Sequence, residues 1–323
     1  MAVGMTEETL TLTVARRRVQ GNGVLVLDLV DRQGGALPPF EAGAHVDLHL
    51  GPGLVRQYSL CGDPADRGRY RLGILRDPGS RGGSVAAHDR LQEGAAVAVG
   101  RPRNLFPLAA GPGHSLLIGG GIGITPMIAM AHALAGAGRG FDLHYCGRSR
   151  DSCAFLDELA GAAFRDRVAL HLDDGPAEQR LDLPALLGGA APGTHLYVCG
   201  PAGFMGWVIG EAGRLGLPPE RIHREYFQTE AATGGGAFDV VARRSGRRVR
   251  VEDGETIVQA LARVGVAVTM SCEQGVCGTC LCTVLEGTPD HRDVFLTEEE
   301  KADNDQILLC CSRSKSETLV LDL

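Results

Sequence analysis

The sequence predicts a multidomain chain that combines all-β and α/β architecture. The parts are an antiparallel β-barrel, a parallel α/β domain and a small cysteine-bearing unit. Three observations carry this reading. Short strand-like stretches separated by Gly, Pro and Asp turns fill the first hundred residues. Strands alternating with helices follow from about residue 110. After a glycine-rich stretch near residue 230 the chain returns to short strands and a dense set of cysteines.

With 323 residues the chain has material for two or three domains, at roughly 100–200 residues each. Hydrophobic residues at 44% and charged residues at 22% are ordinary for a globular protein and exclude a disordered chain. A net charge of −7 without a long Lys/Arg run argues against nucleic-acid binding. Residues 1–12 hold no basic residue and no sustained apolar core, so no secretory signal is expected. The run 116–134 lacks formal charges but holds four glycines, a proline and a histidine. It reads as strand, loop and helix rather than a membrane span. Without export, ten cysteines favour metal or redox use over disulfides. A cytoplasmic location is the expectation.

In the first part, strands are expected at 10–15, 24–29, 45–50 and 70–74. In the second, strands are expected at 115–118, 141–146, 168–172 and 195–198. Helices are expected at 126–134, from 153 to 159 and at 204–215, with a turn at 183–187. In the third, strands at 238–243 and 247–252 meet through Ser245-Gly246, and a helix spans 257–264. The boundaries expected are 1–109, 110–228, a flexible linker at 229–237 and 238–323.

The sharpest motif is SCEQGVCGTC at 271–280. It sets Cys272, Cys277 and Cys280 in a C-x4-C-x2-C array, with Cys310 and Cys311 following some thirty residues later. This is the plant-type spacing for a [2Fe–2S] cluster. Structural zinc usually takes two separated short pairs, so the wide first gap favours iron–sulfur. Gly275 and Gly278 let the loop curl so that backbone N–H groups face the sulfurs. Cys282 reads as a buried free thiol.

Two motifs in the barrel suit a flavin. RQYSL at 56–60 comprises Arg56, Gln57, Tyr58, Ser59 and Leu60, and RGGS follows as Arg81, Gly82, Gly83 and Ser84. Two glycines before a serine at a helix start offer N–H donors to a phosphate, and arginine adds a charge-assisted contact. Tyr58 and Ser59 are then expected to border the ring, the hydroxyl near the nitrogen that accepts hydride.

In the α/β part, LIGGGIGITP at 117–126 reads as strand, glycine turn and helix start, which suits a pyrophosphate. Its spacing is not G-x-G-x-x-G, so a standard dinucleotide fingerprint is excluded. Cys199-Gly200-Pro201 closes another strand on the same sheet edge, with Cys199 expected beside a nicotinamide. Asp173 is a candidate ribose contact. Arg148 and Arg150 are the opposing hint, suited to a 2′-phosphate, so NADPH stays open beside NADH.

RQYSL, RGGS, GGIGITPM, CGP, HREYF and SCEQGVCGTC…C, in this order, resemble the phthalate dioxygenase reductase family of the ferredoxin–NADP reductase superfamily. The resemblance covers essentially the whole chain. It implies an antiparallel flavin-binding β-barrel, a parallel α/β nucleotide-binding domain and a C-terminal β-grasp plant-type ferredoxin domain. It implies FMN, a [2Fe–2S] cluster and usually NADH as cofactors. It selects Cys310, in ILLC, as the fourth ligand with Cys272, Cys277 and Cys280. It assigns Arg56, Tyr58, Ser59, Arg81, Gly82, Gly83 and Ser84 to the flavin. Gly120, Gly121, Thr125, Cys199 and Gly200 go to the nucleotide. Phe227, in HREYF, is the aromatic expected near the flavin ring; with Ser59 and Cys199 it completes the expected reacting centre. The implied partner is a Rieske non-haem iron oxygenase of the aromatic hydroxylating or O-demethylating kind. Two alternatives are a reductase for a monooxygenase or cytochrome P450, and a redox-sensing subunit. From residue 238 on, ten Lys and Arg face fifteen Asp and Glu, a formal −5. Glu298, Glu299 and Glu300 read as a solvated helix start.

Overall fold

The computed structural model describes residues 9–77, 79, 82–227, 234–270 and 272–323. The described residues up to Glu225 form one compact unit, and those from Tyr226 to Leu323 form another. Arg81 and most of the expected linker lie outside the described residues.

The first unit begins with β1 (Leu10–Gln20), β2 (Val24–Val30), β3 (Ala44–Gly51), β4 (Leu54–Ser59) and β5 (Tyr70–Leu75). Helix α1 (Gly83–Arg90), β6 (Ala96–Val99) and β7 (Arg103–Asn104) follow. The strand order is β4-β3-β6-β1-β2-β5, with β7 on β3, and neighbours run antiparallel. A bridge between Leu60 and Leu72 ties the residue after β4 back to β5. The sheet thereby closes on itself, which removes its open edges. Strand β2, VLVLDLV, is buried over nearly its whole length. Its one acid, Asp28, is 4% exposed and accepts two bonds from Arg71, at 2.7 and 3.0 Å. A charge this deep needs such a partner.

The same unit continues with β8 (Ser115–Gly120), α2 (Ile124–Gly136), β9 (Phe141–Gly147), α3 (Leu156–Gly161) and β10 (Val168–Leu172). It ends with α4 (Leu183–Gly188), β11 (His195–Cys199), α5 (Ala202–Arg214) and β12 (Ile222–Glu225). The order is β10-β9-β8-β11-β12, with all neighbours parallel. The chain runs outward from β8 through β9 to β10, then returns to lay β11 and β12 on the other side. The reversal between β8 and β11 opens a crevice at their carboxyl ends, where doubly wound sheets bind ligands.

The third set of strands forms the second unit. It comprises β13 (Phe238–Ala242), β14 (Arg247–Val251), α6 (Ile257–Arg263), β15 (Leu281–Glu286) and β16 (Pro289–Asp290). Helix α7 (Glu298–Asp303), β17 (Gln306–Leu308), β18 (Arg313–Ser314) and β19 (Thr318–Leu321) complete it. The main sheet runs β14-β13-β19-β15-β17. Strands β13 and β19 are parallel and the other neighbours antiparallel. Together with α6 this is the mixed sheet of a β-grasp. Val240, Leu261, Ile307, Leu319 and Leu321 fill its core. Thr256 and Gln259 cap α6 reciprocally, and Thr297 and Glu300 do the same for α7.

Two expected elements differ. The helix expected from 153 starts at Leu156, because Phe155 adopts a left-handed φ of 62°. That conformation buries its ring and hands its N–H to Gln20 Oε1 at 2.7 Å. The segment 183–187 is helix rather than turn. Asp182 accepts from the Ala185 N–H at 3.0 Å and Pro184 lies in the first turn, both start signals legible in the sequence. Among the described residues no helix is long and apolar enough to cross a membrane.

Candidate cofactor sites

The flavin motifs meet at one end of the barrel. Arg56 and Tyr58 alternate with Gln57 and Ser59 along β4, so each pair faces its own side of the sheet. Arg56 lies across the start of α1: a Cβ added at Gly83 would fall 2.4 Å from Arg56 Cγ. Gly82, at φ 83°, sets the chain into α1, and among the described residues no side chain caps this helix. Its first N–H groups and the guanidinium thus make a positively polarised cradle that fits a phosphate. Burial raises the Tyr58 phenol to about 12, against the lowering charge of Arg56. Tyr58 therefore stays neutral at physiological pH. Ser84 is buried, and its hydroxyl accepts from the Asp77 N–H at 3.1 Å. Gln57 Nε2 is buried without a hydrogen-bond partner among the described residues.

The glycine turn sits at the crevice. Gly121 adopts φ 56° and has open space where a Cβ would be, whereas a Cβ at Gly120 would lie 2.8 Å from the Phe204 ring. Gly123 is pressed on the peptide joining Cys199 to Gly200, where a Cβ would stand 2.3 Å from the Cys199 oxygen. The three glycines serve different ends: conformation, packing on α5 and packing on β11. Thr125 is buried. Its hydroxyl donates to the Ile122 carbonyl at 2.9 Å, and its methyl borders Gly73 of β5. Its place is at the seam between barrel and parallel sheet. Asp173 and Arg148 lie exposed just beyond the ends of β10 and β9. The Asp174 N–H donates to the Arg148 carbonyl at 3.1 Å, so the two loops are neighbours.

Sheet register then brings one further acid to this edge. Cys199 pairs with Gly119 on one side and Glu225 on the other. Ser59, at the end of β4, donates its hydroxyl to Glu225 Oε2 at 3.3 Å. Glu225 keeps some exposed surface, yet desolvation of its carboxyl pushes it up to about 8. Cys199 is fully buried. Burial, with the Glu225 charge adding to it, pushes its thiol well above its ordinary range. Cys199 is therefore a neutral thiol, unsuited to nucleophilic attack. Sequence reasoning missed Glu225, although it lies inside HREYF. The available signal was a charged residue closing the short strand IHRE at the same edge as CGP. Phe227 follows two residues after β12, in the second compact unit.

In the second unit the four chosen cysteines converge. Cys272 hydrogen-bonds to Cys277 and to Cys310, and Cys280 to Cys310. The contacts link Cys277 through Cys272 and Cys310 to Cys280, a four-thiol set of the kind that holds a [2Fe–2S] cluster. Backbone N–H groups of Gln274 and Val276 point at Cys272, and that of Thr279 at Cys277. Gly275 and Gly278, both at φ 72°, admit no side chain: a Cβ would meet Cys311 Sγ at 2.5 Å and the Phe295 ring at 2.3 Å respectively. Cys311 turns instead towards the Leu308 carbonyl and the Ser312 hydroxyl. Cys282 lies in the hydrophobic core of this unit.

A family model for a 2Fe-2S iron-sulfur cluster binding domain matches residues 240–315. Over 312 residues the chain is 49% identical to the vanillate O-demethylase oxidoreductase of Pseudomonas sp. strain HR199, covering 96% of this chain and 98% of that one. It superposes on a solved phthalate dioxygenase reductase with a TM-score of 0.76 and 38% identity, over 98% of both chains. That structure is described as modular, for electron transfer from pyridine nucleotides to [2Fe-2S]. The chain belongs to the phthalate dioxygenase reductase family. As a member it is an electron-transfer oxidoreductase with a flavin and a 2Fe-2S centre. It also resembles part of a type IV self-sufficient cytochrome P450 monooxygenase, with TM-score 0.82 and 38% identity. The match covers 98% of this chain but 41% of that longer one.

Proposed function

We propose that this reductase takes hydride from NADH onto FMN and delivers single electrons through its cluster to a Rieske non-haem iron oxygenase acting on an aromatic substrate. The carrying observation is the Ser59–Glu225 bond beside Cys199. It joins the flavin-motif strand to the edge of the nucleotide sheet inside one compact unit. Hydride transfer needs donor and acceptor rings held together in this way. Bound flavin supplies the conversion between a two-electron donor and a one-electron cluster. Arg56 and the start of α1 hold the flavin phosphate. Tyr58 borders the ring, and the glycine turn seats the pyrophosphate. Ser59, Glu225 and Cys199 orient the nicotinamide and exclude water without giving up a charge. Phe227 is assigned to the ring by family likeness. Cys272, Cys277, Cys280 and Cys310 hold the cluster. Arg81, Gln57 and Asp173 belong to the same assignment as flavin and ribose contacts.

The domain division we propose is 1–109 for flavin, 110–228 for nucleotide, 229–237 as linker and 238–323 for the cluster. We place the protein in the cytoplasm, where reduced pyridine nucleotides are held.

An anaerobic NADH titration, read by absorbance and EPR with identification of the released flavin, tests this. Flavin bleaching and a rhombic signal from a reduced [2Fe–2S] cluster are expected, with FMN released on denaturation. Absence of bleaching with both NADH and NADPH overturns it. A second reading, favoured by the likeness to the P450 fusion, is a haem monooxygenase as acceptor. Cross-reduction of a purified Rieske oxygenase and a purified P450 separates the two.

A further inference from the structure

The second unit holds a cleft that the electron path does not use. It lies between the two-stranded β16–β18 sheet and α7 and has a volume of about 570 Å³. Its polar lining comprises Thr288, His291, Glu298, Lys301, Asn304 and Lys315. His291 follows β16 directly, and its side chain is only 7% exposed. Both ring nitrogens are buried with no hydrogen-bond partner among the described residues. The nearest acid is Asp293, whose Oδ1 stands 3.7 Å from His291 Nδ1, beyond hydrogen-bond length. Asp293 is occupied elsewhere: it accepts from the Leu296 N–H at 2.8 Å and the Ser312 hydroxyl at 3.4 Å.

Buried polar groups in folded proteins are hydrogen-bonded in the great majority of cases. A neutral imidazole presents one donor and one acceptor, and a protonated one presents two donors. A ring this deep, at the wall of a cleft, has no hydrogen-bond partner among the described residues, and a turn about its side-chain bonds would bring a nitrogen to a ligand there. The cleft also supplies positive charge. Lys315 is exposed at the rim, its backbone fixed by a 2.9 Å bond to the Thr288 carbonyl. The Lys301 side chain is 20% exposed and bonds Glu298 Oε1 at 3.0 Å. Glu298 is 90% exposed, so this pair is screened by solvent and holds the ammonium weakly. Two ammonium groups and a ring donor around one cleft, within the segment 238–323 of formal charge −5, form a local exception to the surrounding acidity.

We propose that this cleft is a binding site for a small oxyanion, a carboxylate or phosphate group. His291 donates to it from the floor, and Lys301 and Lys315 close on it from the rim. The site does not rest on the flavin or nucleotide assignments. It does sit one step from the cluster loop: Asp293 abuts Gly275, and the Val294 N–H donates to the Gly275 carbonyl at 3.1 Å.

The test is calorimetric titration of the full-length, cofactor-loaded protein in a chloride–HEPES buffer, with inorganic phosphate in one arm and acetate in the other. The expected result is saturable one-site binding in at least one arm, and the arm that saturates names the oxyanion. The variant His291→Ala and the double variant Lys301→Gln/Lys315→Gln should each weaken binding tenfold or more. The cluster's visible absorbance confirms that each variant is folded. If His291→Ala loses the cluster, the double lysine variant on the rim decides alone. No saturable binding in either arm overturns the proposal, as does binding that survives in a folded variant.

Discussion

The Ser59 hydroxyl donates to Glu225 Oε2 at 3.3 Å, linking the last residue of β4 to the last residue of β12. The two residues are 166 apart in sequence. The bond spans barrel and parallel sheet at the crevice between their ligand motifs. Desolvation favours the neutral form of a carboxyl in that position.

Glu225 should therefore set a pH dependence. Its folded-state pKa is raised by burial from 4.5 to about 8. The stability it contributes is then full below about 4.5 and lost as pH rises through about 8. The ceiling on the slope is about 1.4 kcal/mol per pH unit inside that window. Glu225→Gln should flatten the melting temperature between pH 5 and 8 relative to the parent. It should also remove an ionisation near pH 8 from the rate of flavin reduction by NADH. A variant with an unchanged pH profile would show that this carboxyl does not titrate in the window.

The glycine turn separates conformational from packing roles. Gly123→Ala forces a Cβ to within 2.3 Å of the Cys199 oxygen, so the end of β11 must move. Gly121→Ala meets no atom but keeps an L-residue at φ 56°, which costs about 1–2 kcal/mol. Gly123→Ala is expected to raise the KM for NADH tenfold or more. Gly121→Ala should lower the melting temperature by a few degrees and change KM less. Steady-state kinetics with ferricyanide as acceptor, beside thermal melts, distinguish the two.

The adjacent cysteines give a sharper contrast. Cys310 shares hydrogen bonds with Cys272 and Cys280 as well as with its neighbour Cys311, whereas Cys311 also faces the Leu308 carbonyl and packs against Gly275. Cys310→Ser should abolish or strongly perturb the cluster's visible and EPR spectra. Cys311→Ser should retain stoichiometric iron and sulfide, with at most a modest loss of stability from a polar group in a buried site. Equal loss of iron in both variants would mean that either thiol can ligate.

Much of this fold was legible because local signals and tertiary structure agree. VLVLDLV reads as a strand and is one, and the cysteine spacing and glycines of 271–280 specify a tight loop. What escaped was set by long-range packing. Phe155 makes α3 start three residues late because its ring is needed under Gly73, which no local pattern announces. Glu225 is an ordinary strand-end acid in sequence and becomes notable only when register sets it beside Cys199 and closure of the barrel brings Ser59. The alternation that places Arg56 and Tyr58 on one side of β4 was readable, but not that α1 would run beneath the guanidinium.

That last contact yields the final prediction. If Arg56 and the uncapped start of α1 hold the flavin phosphate together, Arg56→Ala removes a charge-assisted hydrogen bond of about 1.5–3 kcal/mol. Flavin retention should fall roughly ten- to hundredfold at 25 °C by that energy. The ferredoxin unit should be untouched. Fluorescence of flavin released during dialysis measures the first, and EPR of the dithionite-reduced cluster measures the second. Arg56→Lys keeps the charge but loses the planar fork, so it should recover only part of the affinity. Full retention by Arg56→Ala would place the phosphate elsewhere, and α1 would then be a structural helix alone.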